Sequence, residues 1–250
     1  MDDSPTIEIW AKTGNEIRAK VIASDKKDDV IEAACMLLGR LVDSGNTLRV
    51  LSDHAKQHDW SADGASILRT TYDAMLQALY ILADPQERQT RARRFLDFGV
   101  VERVKLIHVC DEKRTKASQR IAASSRRAVV DPSIQAEFQR VCTKYGYNTE
   151  DVPKHLPLNW YSDGLRKIAK DVGYETEYEL LRKLLSSVVH SSVFGITGIS
   201  GFGKQSVMQL YWLFAFRVLD KVVEYVGTEV TGTEKRLLEM SRRNIFDGHS

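Results

Sequence analysis

Four side chains have the types and spacing for acid–base chemistry on an anionic group. Ser186 and His190 stand one helical turn apart in TEYELLRKLLSSVVHSS, and Arg69 and Asp73 one turn apart in SILRTTYDAMLQALYILA. An imidazole serves as general base or acid near neutral pH, and a guanidinium holds an anionic oxygen. The same four groups have a plainer use: brought together between two helices they satisfy one another, and the resulting polar clasp fixes helix register. Both uses require the two segments to pack side by side, because a buried polar group without a partner costs about 1–3 kcal/mol.

The elements that must position these groups read as helices. Tyr178, Leu181, Leu185, Val188 and Val189 recur at three- and four-residue intervals, and Thr176 with Glu179 has the spacing of a capping box at the start. In the earlier segment Ile67, Leu68, Met75, Leu76, Leu79, Tyr80 and Leu82 form the apolar face, with Asp63 as the expected cap. From Asp28 the pattern is helical to Val42, Ser44-Gly45-Asn46 predicts a break, and a second helix follows from Thr47 to about Gln57. Asp84-Pro85 and Asp131-Pro132 predict helix starts, the first for a helix of about 86–109 that breaks near Gly99, the second for one reaching about Tyr145. Further helices are expected at 160–172, 205–226 and 233–245.

Residues 1–25 hold two short apolar runs around Gly14 and Asn15 and fit a hairpin or an irregular arm. Strands and helices do not alternate, and no long repeat is visible. The expected fold is therefore all-α, a multi-helix bundle of residues 26–250 behind a short N-terminal arm.

Composition narrows the function classes. With 43% apolar residues in 250, the chain can build a real core, and a net charge of +2 names no partner by itself. Cys35, Cys110 and Cys142 lack the spacing of a disulfide framework or zinc site, and the start MDDSPTIEIW is acidic, so a cytoplasmic protein is expected. The most apolar stretch, Leu210 to Phe216, lies between Gln209 and Arg217, far short of the roughly 20 residues that span a bilayer, so no membrane partner is expected. Its sequence LYWLFAFRVLDKVV is apolar around most of the helix, which makes residues 207–226 either a core helix or one half of a homodimer interface.

Three other patterns carry chemical possibilities. Residues 88–127 hold twelve Lys or Arg against four acids, a stripe able to contact nucleic-acid phosphates through Arg91, Arg94, Arg114, Lys116 and Arg120. GISGFGKQS, residues 198–206, approaches a phosphate-binding loop, but Gln205 follows Lys204 where that loop needs a magnesium-holding hydroxyl. His54 and His58 could share a helix face, but HAKQH lacks the metalloprotease glutamate, so no metal or cofactor is expected.

The chain resembles an uncharacterised family of bacterial all-helical domains of unknown function. LRTTYDAMLQALYILADP supplies Arg69, Asp73 in place of the family's Glu, and Tyr80-Ile81-Leu82. NWYSDGLRKIAKDVGYETEYELLRKLLSSVVHSS supplies Trp160, Arg166, Ala169, Tyr178, Ser186 and His190, with Arg182 where a second Tyr is expected. The resemblance covers about residues 60–195 and implies a helical fold with a polar cluster. The chain is more distantly similar to the HEPN ribonucleases, which carry a closely spaced Arg and His on one helix; Arg182 and His190 here have seven residues between them.

The expected function is a cytoplasmic binding or regulatory module, nucleic-acid associated and set in stress or phage defence. The alternative is a metal-independent, HEPN-like ribonuclease using His190 and Arg69.

Overall fold

A computed structural model describes residues 12, 15, 16, 19, 23, 28–54, 60–113, 132–149, 156, 157, 159–161, 164–189 and 204–226. Among them are seven α-helices and no strand: α1 (Asp29–His54), α2 (Ser61–Ala83), α3 (Arg88–Lys113), α4 (Pro132–Tyr145), α5 (Gly164–Asp171), α6 (Glu175–Val189) and α7 (Lys204–Val226). The fold is all-α, as the hydrophobic periodicity requires. Of the N-terminal arm, Lys12, Asn15, Glu16, Ala19 and Ala23 are helical and exposed. The expected helix at 233–245 lies outside the described residues. None of the described helices is long and apolar enough to cross a membrane.

The chain divides into two compact units, one formed by Met1–Gln89 with Leu165–Ser250 and the other by Thr90–Gly164. In the first, α2 is the central helix, packing against α1, α6 and α7. Leu68, Tyr72, Met75 and Leu76 of α2 are fully buried, as are Leu38, Leu41 and Leu48 of α1 and Tyr211, Trp212, Phe214 and Val218 of α7. Much of the apolar surface of α7 lies in this unit's core, with Leu210, Leu213 and Val223 partly exposed. In the second unit, Phe98, Val101 and Val104 of α3, Phe138, Val141 and Cys142 of α4, and Leu156 and Trp160 are buried. There Phe95 meets Trp160 edge-on at 5.6 Å, and the Lys105 ammonium donates to the Pro157 carbonyl at 2.8 Å.

Several boundaries differ from expectation, each for a packing reason. α1 runs unbroken through Ser44-Gly45-Asn46 because Gly45 makes room for α7: a Cβ there would lie 2.1 Å from the Tyr211 oxygen. That hydroxyl donates to the Leu41 carbonyl at 2.9 Å. α3 likewise continues through Gly99, and it begins at Arg88 after a turn in which Asp84 accepts from the Gln86 amide at 2.9 Å. The Thr176 capping box does not form, since α6 already begins at Glu175 and Glu179 accepts instead from Arg166 at 2.6 Å. Asp63 lies inside the first turn of α2, whose N-cap is Trp60.

The start of α1 is tied to the end of α7. Asp28 accepts the Ile31 amide at 2.7 Å as a cap and the Tyr225 hydroxyl at 2.6 Å. α4 and α5 both close on glycines with positive φ, Gly146 (67°) and Gly173 (82°). In each, the next amide reaches back five residues, Tyr147 to Cys142 and Tyr174 to Ala169, which satisfies carbonyls the helix end leaves open.

Candidate functional site

The polar centre of the first unit is built on α2. Arg69 Nε lies 3.5 Å from Asp73 Oδ2, with side chains 19% and 26% exposed. Arg69 Nη1 and Asp73 Oδ1 are buried and have no hydrogen-bond partner among the described residues. Burial pushes the Asp73 carboxyl up to about 6, against the opposing pull of Arg69. Tyr72 points into the core, stacked on Tyr178 of α6 at 6.5 Å and tilted against Phe214 of α7 at 5.0 Å. Its hydroxyl is held well above the ordinary phenol range, first by burial and then by the charge of Glu177. Glu177 itself takes Arg217 of α7 at 2.8 and 3.0 Å, and that guanidinium lies over the Tyr174 ring at 4.4 Å.

α2 and α6 pack on one another, so the helices carrying Arg69 with Asp73 and Ser186 are neighbours. The closest described ring contact between them is Tyr72 with Tyr178, and Ser186, half-buried, is eight residues farther along α6, about 12 Å of rise. His190 lies outside the described residues. The groups found around Tyr72, which lies between Arg69 and Asp73 in mid-α2, are therefore Tyr178, Glu177 and Arg217. Sequence reasoning placed Tyr178 on the core face and missed the roles of Tyr72, Glu177 and Arg217. In the sequence Arg217 only interrupts an apolar helix, and its pairing with Glu177 across 40 residues has no local signature.

Of the basic stripe, Arg91 and Arg94 lie on α3, while Arg114, Lys116 and Arg120 lie outside the described residues. Lys204, from the loop that resembles a phosphate-binding motif, is the first residue of α7, its ammonium 6.0 Å from the Trp60 ring centroid. Residues 198–203 and 55–59, including His58, are outside the described residues.

The second unit contains a cluster that the sequence did not reveal. Asp97 of α3, its side chain 2% exposed, accepts from Arg140 Nη2 at 2.8 Å, Lys144 Nζ at 3.0 Å and the Tyr145 hydroxyl at 3.0 Å. Arg93, one turn earlier on α3, brings its Nε within 3.2 Å. Burial by itself would raise the Asp97 carboxyl, but hydrogen bonds from Arg140, Lys144 and Tyr145 and the charge of Arg93 outweigh it and hold the group below its ordinary value. Arg94 lies 5.5 Å from the Tyr145 ring, which in turn stacks on Tyr147 at 5.7 Å. The Arg93-x-x-x-Asp97 spacing was visible, but its convergence with Arg140 and Lys144 exists only in three dimensions.

Residues 31–204 match a family described as of unknown function, DUF5677. The chain belongs to this family. No curated protein and no solved structure matches it. The DUF5677 match runs from the third residue of α1 to the first residue of α7, and so includes Arg69, Asp73, Ser186, His190 and the Asp97 cluster. It stops short of the Tyr211, Trp212 and Phe214 side chains that complete the core around α2.

Proposed function

We propose that this DUF5677 domain is a ligand-binding module whose recognition centre is the Arg69–Asp73 pair. One observation carries this: a buried guanidinium nitrogen and a buried carboxylate oxygen, on adjacent turns of one helix, lack protein partners among the described residues. Each such group costs about 1–3 kcal/mol when unsatisfied, and a bound group offering an acceptor to Arg69 and a donor to Asp73 removes both penalties. A panel of nucleotides and small acids, read by the rise in melting temperature, tests it. A ligand that stabilises the unaltered chain and fails to stabilise Arg69→Gln supports the module. Equal stabilisation of both, or of neither across the panel, overturns it.

A second reading is favoured by the Asp73 carboxyl at about 6, a value suited to proton transfer near neutral pH. In it, the protein is a metal-independent endoribonuclease in which Arg69 steadies a phosphate oxygen and Asp73, with His190, exchanges the proton. Labelled RNA in EDTA is the substrate for its test. Cleavage that disappears in both Asp73→Asn and His190→Ala, with melting temperatures retained, supports the enzyme, and intact RNA after incubation with the unaltered chain excludes it.

A further inference from the structure

Among the described residues, the Asp97 cluster holds more cations than carboxylates. Arg93, Arg140 and Lys144 converge on Asp97, Arg140 also lies 3.6 Å from the rim residue Glu137, and Arg94 lies beside the Tyr145 ring, so the described residues of the cluster hold four cations against two carboxylates. A pair meant only to hold α3 to α4 needs one cation for one carboxylate. Here three cations share one buried carboxylate, and their side chains are 44%, 43% and 42% exposed for Arg93, Arg140 and Lys144. Asp97 therefore fixes one end of each cation while leaving part of its charge in contact with solvent, which pre-organises the set for an anion.

Two aromatic rings lie beside these cations. The turn at Gly146 brings Tyr145 and Tyr147 into a stack with an interplanar angle of 27°, both half-buried. Cations that track phosphates and aromatic rings that meet bases are the two components of single-strand recognition. The surrounding Gln139, Thr143 and Asn148 are exposed and polar, and none of the large exposed apolar side chains among the described residues falls in 132–149. A bilayer would find nothing here to insert. We propose that Arg93, Arg140, Lys144 and the Tyr145–Tyr147 stack form a binding site for single-stranded nucleic acid, the cations taking phosphates and the tyrosines a base. The site is independent of Arg69 and Asp73, which belong to the other unit.

The test is fluorescence anisotropy of the full chain with labelled single-stranded oligouridine, across a salt series, beside sedimentation with anionic phospholipid vesicles. The unaltered chain retains the oligouridine, and log affinity falls with log salt by about 0.7 for each phosphate engaged. Arg140→Gln/Lys144→Gln weakens binding about tenfold or more and flattens that slope by about 1.4, whereas Arg140→Lys keeps most of the affinity. Tyr147→Ala costs about fivefold or more and Tyr147→Phe retains the ring and the binding. If the double variant does not fold, Arg93→Gln replaces it, with a slope flattened by about 0.7. The proposal is overturned if the oligouridine is not bound, if the folded variants bind it with unchanged affinity and slope, or if only the vesicles retain the protein.

Discussion

Asp73 and Asp97 are both drawn out of water, yet their surroundings move them in opposite directions. Asp73 has one cation beside it and an unsatisfied oxygen, so burial dominates and its carboxyl rises from 3.8 to about 6. The folded state then keeps its proton to a higher pH than the unfolded chain does. This contribution to stability is fully present below about pH 4 and is lost as pH rises through about 6. With the side chain 26% exposed, solvent screening reduces the two-unit shift to about 1–2 kcal/mol. Denaturant unfolding should show the unaltered chain losing that amount relative to Asp73→Asn between about pH 4 and about pH 6.5, and a constant difference would contradict the assigned burial. Asp97 behaves conversely. Its folded value is depressed, so its stabilisation is present above the ordinary carboxylate value and disappears as pH falls below it. Asp97→Asn should cost about 2–3 kcal/mol near neutral pH, measured by urea unfolding, and close to nothing in acid.

At the scale of the helix, local sequence chose the elements and neighbouring elements chose their ends. Periodicity in Val30 to Val42 and in Ile67 to Leu82 was legible because one face of each helix must leave water. The break expected at Gly45 was not real, since the glycine is there for the Tyr211 ring that crosses α1. Gly45→Ala should therefore destabilise by about 1–3 kcal/mol through overpacking, well beyond what helix propensity would give it back. Tyr211→Phe should lose about 1 kcal/mol with its hydrogen bond to Leu41, and the double variant should be less damaged than the sum, because the oxygen nearest the new methyl is gone. Additive losses in thermal unfolding would show that the clash lies elsewhere. The same logic explains Glu179, whose spacing from Thr176 suggested a cap but whose carboxylate is taken by Arg166 from α5.

For the molecule as a whole, stability of the first unit rests on the contact of α2 with three helices, and α7 supplies Trp212, Tyr211 and Phe214, three of the four largest fully buried rings among the described residues. Phe214→Ala, which empties a fully buried site against Tyr72, should cost about 3–5 kcal/mol in denaturant unfolding. A loss below about 1 kcal/mol would mean that α7 is peripheral to this core. The helical class, most of the core face of α2, the start at Asp28 and the end at Tyr145 could be read from residue order, because hydrophobic periodicity and helix termini depend on residues a few positions apart, whereas Met36, part of the apolar pattern of α1, is exposed. The same holds for the Arg69–Asp73 pairing, which is a one-turn relation within α2. The partition into two units, the gathering of Arg93, Arg140 and Lys144 on Asp97, and the Glu177–Arg217 bond over Tyr174 were decided only by tertiary packing. Apart from Arg93, one turn from Asp97, those contacts join residues 40 or more positions apart, and a charge far along the chain leaves no periodic trace of the partner that burial will force upon it.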